Sequence, residues 1–461
     1  MRDSGLRTAV KQDTNKVSFV SGPGEAVPIP STIRVVRVID RLNIGGPAKH
    51  VVWLTDGLSE DEFQTTLITG VVPSGEGDMS YFARERELEP IVIKEMSREL
   101  SPRDILVVVK LLLQFLKLKP QIIHTHKAKA GAVGRVAGML YKWLTPSALL
   151  LKPRQCRIVH TYHGHVFHSY YGPLKTRLFV LIERLLARTC TDRIIVVSEQ
   201  QCNEISNSFR IGRPQQFRIV PLGLDLDELS EVSGRLRRER GISDDEVTVG
   251  IVGRLCEVKN HAMLLESAAS LISAQGSDGP PLRLVIVGDG HLRAEIERKA
   301  DELGVANKIL LTGFRDDATA LYADFDIVAL TSLNEGTPLT LIEAMGCGRP
   351  IAATEVGGVV DVMGERKASQ DGFSIWDHGV TAPSRDAGAF ARALRFLLER
   401  PALRRQMGER GRSFVQANLS RVRLISDIES IYRSLVSESD PATTLSPAAQ
   451  LAAFRGKGNS L

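Results

Sequence analysis

Cysteine is scarce and scattered in this chain. Among 461 residues there are five, at positions 156, 190, 202, 256 and 347, and no two form a C-x-x-C pair. That excludes a disulfide framework and a cysteine-based zinc site, and it fits buried thiols in a reducing compartment. Long apolar runs are also missing. The stretch Ile105 to Pro120, ILVVVKLLLQFLKLKP, comes closest, but lysines interrupt it, so no segment reads as a membrane-spanning helix. The first thirty residues lack the apolar centre of a signal peptide. Residues 1–31 therefore read as a disordered leader, 439–461 as a loose tail, and the location as cytoplasmic. A full G-x-G-x-x-G fingerprint is absent too, which makes a dinucleotide-binding reading weak.

Hydrophobic residues make up 43% and charged residues 25%, the balance of a soluble globular protein. The length exceeds one ordinary core and predicts two domains. Short β-branched runs recur, each followed by a helical pattern. IRVVRVI, TTLITG, PIVI, QIIHTH, RIVHTY, RIIVVSE and FRIVPLG come first; VTVGIVG, LRLVIVGDG, KILLTGF, FDIVALTS, RPIAATE and GFSIW follow. Continuous apolar strands between helices mark parallel sheets covered on both faces. The chain thus reads as α/β, with two doubly wound, Rossmann-like parallel-sheet domains facing across a cleft. The expected boundaries are 32–222 and 223–418, with a last helix at 419–438 crossing back to the first domain. Ligands in such sheets sit at the carboxyl ends of strands.

Net charge is +5 but uneven: residues 101–220 carry 19 Lys and Arg against 5 Asp and Glu. Such a region is either an ordinary solvated surface or a face for an anionic partner, such as a phosphate or a membrane.

Four strand-end segments can carry chemistry. In NEGTPLTLIEAMGCG, Glu335 and Glu343 have seven residues between them. Thr337 reads as an N-cap and Pro338 as the first helical position. The free amides around Leu339 and Thr340 then form an anion site, which Gly336 allows a ligand to approach closely. Glu343 lies on a mostly apolar helix, so it is either on a wet strip or partnered, and a sugar diol is one suitable partner. In GRLCEVKN, Arg254 and Lys259 suit a diphosphate, one as a fork and one as a point charge; a solvated loop is the plainer reading. In NIGGPAKH, Gly45 and Gly46 form a βα turn that brings backbone near a phosphate or sugar. Six of the ten histidines fall in HTH (124–126) and HTYHGHVFH (160–168). With no acidic or cysteine ligand beside them, polar contact with substrate, centred on His163, is preferred over a metal site. In GLDLDEL, Asp225 and Asp227 form an Asp-x-Asp pair that could hold a metal, but Asp225 and Glu228 also make a capping box, and the cap is preferred.

Taken together, these segments resemble the family-4 retaining glycosyltransferases of the GT-B fold, of the bacterial envelope or exopolysaccharide type. The first stretch is similar to that family's E-x7-E motif, GRLCEVKN to its diphosphate loop, the GG pair to its glycine loop and TYHG to its histidine segment, over about residues 33 to 435. The resemblance implies that Glu343 holds ribose hydroxyls and that Arg254 and Lys259 neutralise the departing diphosphate. Amides after Gly336, including those of Thr337, Leu339 and Thr340, would bind the donor, and Glu335 a sugar hydroxyl. Backbone at Thr312, Gly313 and Phe314 would face the base, and His163 would reach across from the first domain. The expected substrates are a nucleotide-diphosphate sugar, UDP favoured, and a glycan or lipid-linked acceptor. No cofactor, metal or nucleic acid is expected, and the basic first domain would contact an anionic membrane surface peripherally. The alternatives are a nucleotide-sugar 2-epimerase of the same fold and a non-catalytic nucleotide-sugar-binding protein.

Overall fold

The computed structural model describes residues 32–437, apart from 75, 98–100, 147–149, 151, 165–172, 227–228, 230–233, 276–280 and 316. The leader and tail expected at the two ends lie outside the described residues. Seven strands build the first sheet: β1 (Ile33–Val38), β2 (Phe63–Thr69), β3 (Ile91–Val92), β4 (Ile122–His126), β5 (Arg157–Thr161), β6 (Arg193–Val196) and β7 (Phe217–Ile219). All pair in parallel, in the order β3-β2-β1-β4-β5-β6-β7. The connecting helices are α1 (Gly46–Asp56), α2 (Ser80–Arg84), α3 (Asp104–Leu118), α4 (Ala128–Trp143), α5 (Pro173–Thr189) and α6 (Glu199–Asn203). Side chains alternate along a strand, so each β-branched run feeds two helical layers. Val36 and Val38 pack with Val107, Leu111 and Phe115 of α3, while Val35 packs with Leu54 of α1 on the opposite face.

The second sheet holds β8 (Val247–Val252), β9 (Leu282–Val287), β10 (Ile309–Gly313), β11 (Ile327–Leu330), β12 (Ile351–Thr354), β13 (Arg366–Gln370), β14 (Phe373–Trp376) and β15 (Gly379–Ala382). Its order is β10-β9-β8-β11-β12-β15-β14-β13, parallel except for the pairs β13–β14 and β14–β15. Around it lie α7 (Arg235–Arg240), α8 (His261–Gln275), α9 (Arg293–Glu302), α10 (Ala318–Leu321), α11 (Leu339–Gly346), α12 (Ala387–Leu398) and α13 (Pro401–Asn418). The final helix, α14 (Arg421–Ser437), packs on the first sheet: Leu424, Ile428, Tyr432 and Leu435 join Ile33, Val35 and Ile122 in one buried cluster.

Strand order reverses between β1 and β4 in one sheet and between β8 and β11 in the other. A crevice opens at such a switch point, where neighbouring connections leave in opposite directions. The two domains meet at these ends. The apolar cluster that unites Val51, Val52 and Trp53 of α1 also contains Leu341, Ile342 and Met345 of α11. The chain crosses between domains twice, and the crossings touch: Leu224 N donates to Leu419 O at 2.8 Å, and Arg421 N donates to Leu224 O at 2.6 Å. Arg421 clamps them from the side, bonding Asp225 at 3.0 Å and also Asp56.

Candidate active site

The second domain supplies a helix start. β11 is followed by Thr331 and Ser332, both fully buried, and the chain then turns through Glu335 and Gly336 into α11. The helix begins at Leu339 with Pro338 as its N-cap. The expected cap at Thr337 is therefore one residue early. The fixed ring of Pro338 carries φ −76°, ψ 113°, extended rather than helical backbone. The amides of Leu341 and Ile342 donate to Pro338 O. Those of Leu339 and Thr340 take no protein acceptor among the described residues. The hydroxyls of Thr337 and Thr340 are buried there without a partner. Unsatisfied donors gathered at the positive end of a helix dipole form an anion site.

A cation faces that site from the turn that follows β8. Lys259 donates to Glu335 Oε1 at 2.6 Å, and Ser332 Oγ donates to the same oxygen at 2.6 Å. The stem of Lys259 lies over Gly253, where a Cβ would stand 3.4 Å from Cε. Arg254, the next residue, is exposed and has no side-chain partner among the described residues. Gly288 at the end of β9 packs so tightly on Gly253 that a Cβ would overlap its carbonyl oxygen at 1.9 Å, and its φ of +139° adds a second reason for glycine. Gly288 N donates to Gly313 O at 2.9 Å. Thr312, Gly313 and Phe314 thus sit two strands away from β8, in the same row of strand ends, with Phe314 exposed.

The first domain closes against this helix start. Gly46, the first residue of α1, touches Leu339: a Cβ there would lie 2.6 Å from Leu339 Cδ1. Gly45, the N-cap of α1, has φ +149°. A Cβ on Gly336 would lie 3.0 Å from Gly164 Cα and 3.4 Å from His163 O. Glu343 is 8% exposed and fully partnered: Tyr322 OH donates to Oε2 at 2.9 Å, and Lys49 Nζ of α1 donates to Oε1 at 3.0 Å across the domain seam. It is therefore neither on a wet strip nor free. Gly45, Gly46, His163, Lys259, Glu335, Gly336, Thr337, Leu339, Thr340 and Glu343 converge on the seam.

The histidines form a neutral chain through the first sheet. His124 bonds Tyr432 OH at 2.6 Å and Thr161 Oγ1 at 2.7 Å; His160 bonds Thr125 Oγ1 at 2.9 Å; His126 Nδ1 lies 2.9 Å from His163 Nε2. Burial pushes the pKa values of His124, His126, His160 and His163 well below the ordinary imidazole value, and burial with nearby Arg37 and Arg423 holds His50 at about 3. Ring nitrogens of His50, His126 and His163 lie within 4.8 Å of one another, a grouping able to ligate a transition metal. The fold thus brings together histidines from two strand ends and a helix, which their separation along the chain does not reveal.

Lys49, His50 and Tyr322 were not singled out by the sequence. The first two lie inside the NIGGPAKH stretch, and the one available signal was a cation one turn into a glycine-led helix. Asp225 proves to be a ligand of Arg421 at the crossing. The other member of the expected cap, Glu228, lies outside the described residues, as do His165 and His168.

Comparison with known proteins bears on this geometry. Residues 44–228 match the family described as Glycosyltransferase Family 4, and residues 233–414 match Glycosyl transferases group 1. A UDP-Gal:alpha-D-GlcNAc-diphosphoundecaprenol alpha-1,3-galactosyltransferase of Escherichia coli is 29% identical over 52% of this chain and 59% of its own length, so the chain spans less than two thirds of that relative. Putative glycosyltransferase EpsD of Bacillus subtilis is 27% identical over 68% of this chain and 76% of its own. Among solved structures, Anabaena Alr3699/HepE in complex with UDP superposes with a TM-score of 0.68 at 18% identity, covering 87% of this chain and all of that one. Sucrose-phosphate synthase from Thermosynechococcus elongatus superposes with a TM-score of 0.69 at 21% identity, covering 88% and 100%; at these identities both show the fold alone. With two switch-point crevices meeting at a helix start, and with matches along both domains, the chain belongs to the family-4, group 1 glycosyltransferases of the GT-B fold.

Proposed function

We propose that the protein is a retaining, metal-independent glycosyltransferase that moves a sugar from a UDP-sugar to a lipid-linked or glycan acceptor in polysaccharide biosynthesis. The observation that carries this is the meeting of Lys259, Glu335 and the unsatisfied start of α11 at the β8–β11 switch point. Glycosyl transfer builds positive charge on the sugar and negative charge on the departing phosphate oxygen. Preorganised cations and helix amides in a water-poor cleft stabilise that oxygen. Lys259, Arg254, the Leu339 and Thr340 amides and the Thr337 and Thr340 hydroxyls fill this role without a metal. Glu335, already held by Lys259 and Ser332, is placed to accept from a sugar hydroxyl. Glu343 takes the ribose diol once Lys49 lets go, so nucleotide binding and movement at the domain seam are linked. His163 lines the opposite wall, and the strand end at Thr312, Gly313 and Phe314 borders the base.

UDP is favoured because a UDP-Gal enzyme is among the relatives and UDP occupies a structural neighbour. That galactosyltransferase acts on a diphosphoundecaprenol-linked sugar, which favours a lipid-linked acceptor and work at the cytoplasmic face of a membrane. No helix among the described residues is long and apolar enough to cross a membrane, and the reading favoured here is peripheral association.

Thermal-shift screening against UDP, GDP, ADP and their sugars tests the donor: stabilisation by UDP above the others is expected, and none by any nucleotide would remove the reading. Turnover undiminished in EDTA tests metal independence, and the anomeric configuration of the product by NMR tests retention.

A further inference from the structure

Helices α3, α4 and α5 stand side by side as one layer on the first sheet. Their outward face is apolar. On α3, Ile105, Val109, Leu113 and Leu116 recur on one side and are between 39% and 75% exposed. At 1.5 Å per residue this stripe is about 16 Å long. On α5, Leu178, Leu181 and Leu185 make a second stripe, each more than half exposed. Val136 and Met139 of α4 are half-buried between the two helices. Single exposed leucines are ordinary; two stripes on adjoining helices mark an interaction surface.

The polar residues of the same layer have one sign toward solvent. Its carboxylates turn inward, Asp104 to Lys129 at 2.8 Å and buried Glu183 to Arg135 at 2.5 Å. Arg103, Lys117, Lys119, Arg177 and Arg188 are exposed. At the foot of α3 and α4 lies a cleft of about 310 Å³, lined by Arg34, Leu116, Lys119, Tyr141 and Arg154 among others and by no acidic side chain. None of its three cations has a carboxylate partner among the described residues. Arg34 Nε donates to Lys119 O at 2.8 Å, and Arg154 donates to Leu144 O at 2.9 Å while lying over the Tyr141 ring. Leu116 belongs to both the stripe and the cleft. Trp143 and Leu144 beside it are exposed, an amphipathic ring placed where a lipid headgroup layer would be.

We propose that this three-helix face lies on a bilayer containing anionic phospholipid, with a headgroup phosphate seated among Arg34, Lys119 and Arg154. The inference rests on the proposed peripheral, lipid-linked reading and names the surface that performs it. A second copy of the chain fits less well, because a two-fold contact would set one basic rim against another. The stripe starts where the catalytic cleft is. Ile105 follows Asp104, whose carboxylate holds Lys129, three residues after His126 of the histidine cluster. A lipid-linked acceptor in the same bilayer therefore emerges at the end of the molecule that carries the chemistry.

Flotation of the full chain with phosphatidylcholine vesicles, with and without phosphatidylglycerol, tests this. Flotation is expected only with the anionic vesicles and should weaken as salt is raised. Lys119→Glu is expected to weaken partition about 25-fold, from roughly fivefold per unit charge at the surface. Leu113→Glu should abolish flotation. Both side chains are exposed, so UDP stabilisation should be unchanged in either variant. The proposal is overturned if wild type does not float, or if both variants float like wild type. It is equally overturned if sedimentation shows a dimer that Leu113→Glu splits, or if glycerol phosphate alone stabilises the protein through Lys119 without vesicle binding. Flotation with no nucleotide stabilisation would fault the donor reading and support this face.

Discussion

Replacing Lys259 with alanine removes the cation nearest the start of α11. The structure separates the cost to stability from the cost to catalysis. Lys259 and Glu335 are 18% and 13% exposed at the side chain and lie 2.6 Å apart. Breaking a buried pair costs about 3–5 kcal/mol because it strands the other charge. Here Glu335 keeps its bond from Ser332 at 2.6 Å and borders an open cleft, so a loss of about 1 kcal/mol is expected, within reach of a melting curve. The catalytic cost is larger. A hydrogen bond to a charged group contributes about 1.5–3 kcal/mol, and removing one donor to a developing oxyanion slows turnover about 100- to 1000-fold. Lys259→Ala should therefore fold, lose most stabilisation by UDP and lose kcat/KM by about that factor. Lys259→Arg should restore part of both, since it returns the charge with a different reach. A folded Lys259→Ala protein with UDP stabilisation and kcat/KM within twofold of wild type would refute the leaving-group argument.

Glu343→Gln keeps a partner for Tyr322 but releases Lys49; UDP affinity measured by calorimetry should fall about tenfold, as expected for one lost charge-assisted bond of about 1.4 kcal/mol. Gly336→Ala puts a methyl 3.0 Å from Gly164 Cα; turnover should drop while the melting temperature changes little, because the wedge opens the seam rather than either core. Acid should weaken the fold through the histidines. His50 titrates near 3 when folded against about 6.5 unfolded, so its contribution is complete above pH 6.5 and fades as pH falls toward 3, with about 2 kcal/mol gone by pH 5. In His50→Gln, the drop in melting temperature between pH 6.5 and 5 should be smaller. Arg421→Ala removes the bond to Asp225 at the crossing and leaves Asp56 only its 3.9 Å pairing with Arg86; about 1 kcal/mol of stability and a changed kcat are expected from denaturant melts and steady-state kinetics.

Strands whose two faces are both covered write their burial into every position, so the β-branched runs from IRVVRVI to RPIAATE were legible as strands. β13, RKASQ, is exposed along its whole length and carries no apolar pattern to read. β15, GVTA, is four small or β-branched residues that nothing distinguishes from a turn until β14 pairs with it. The helix start at α11 was legible to within one residue because proline and glycine constrain backbone locally. Glu343 was visible as a misfit on an apolar helix, but its partner Lys49 was not, since 294 residues separate them and only the meeting of two sheets brings them together. The histidine cluster has the same origin, with His50 contributed by a helix that follows a different strand. Asp225 shows the same limit: its bond to Arg421 spans 196 residues, which no local pattern around GLDLDEL could reveal.

The chain passes between the domains at Leu224 and Ser420, and these passages run alongside each other as a single short ladder step. Two separated tethers would have permitted only bending about the line joining them; one shared pivot lets the lobes swing and swivel about a point while forbidding them to drift apart. On the proposed function, the first lobe could then rest on a surface as the second moves over it to admit a fresh nucleotide sugar and shed the spent one. The carboxylates of Asp56 and Asp225 sit on opposite lobes and share one guanidinium, so the stiffness of that joint is tunable by a single side chain.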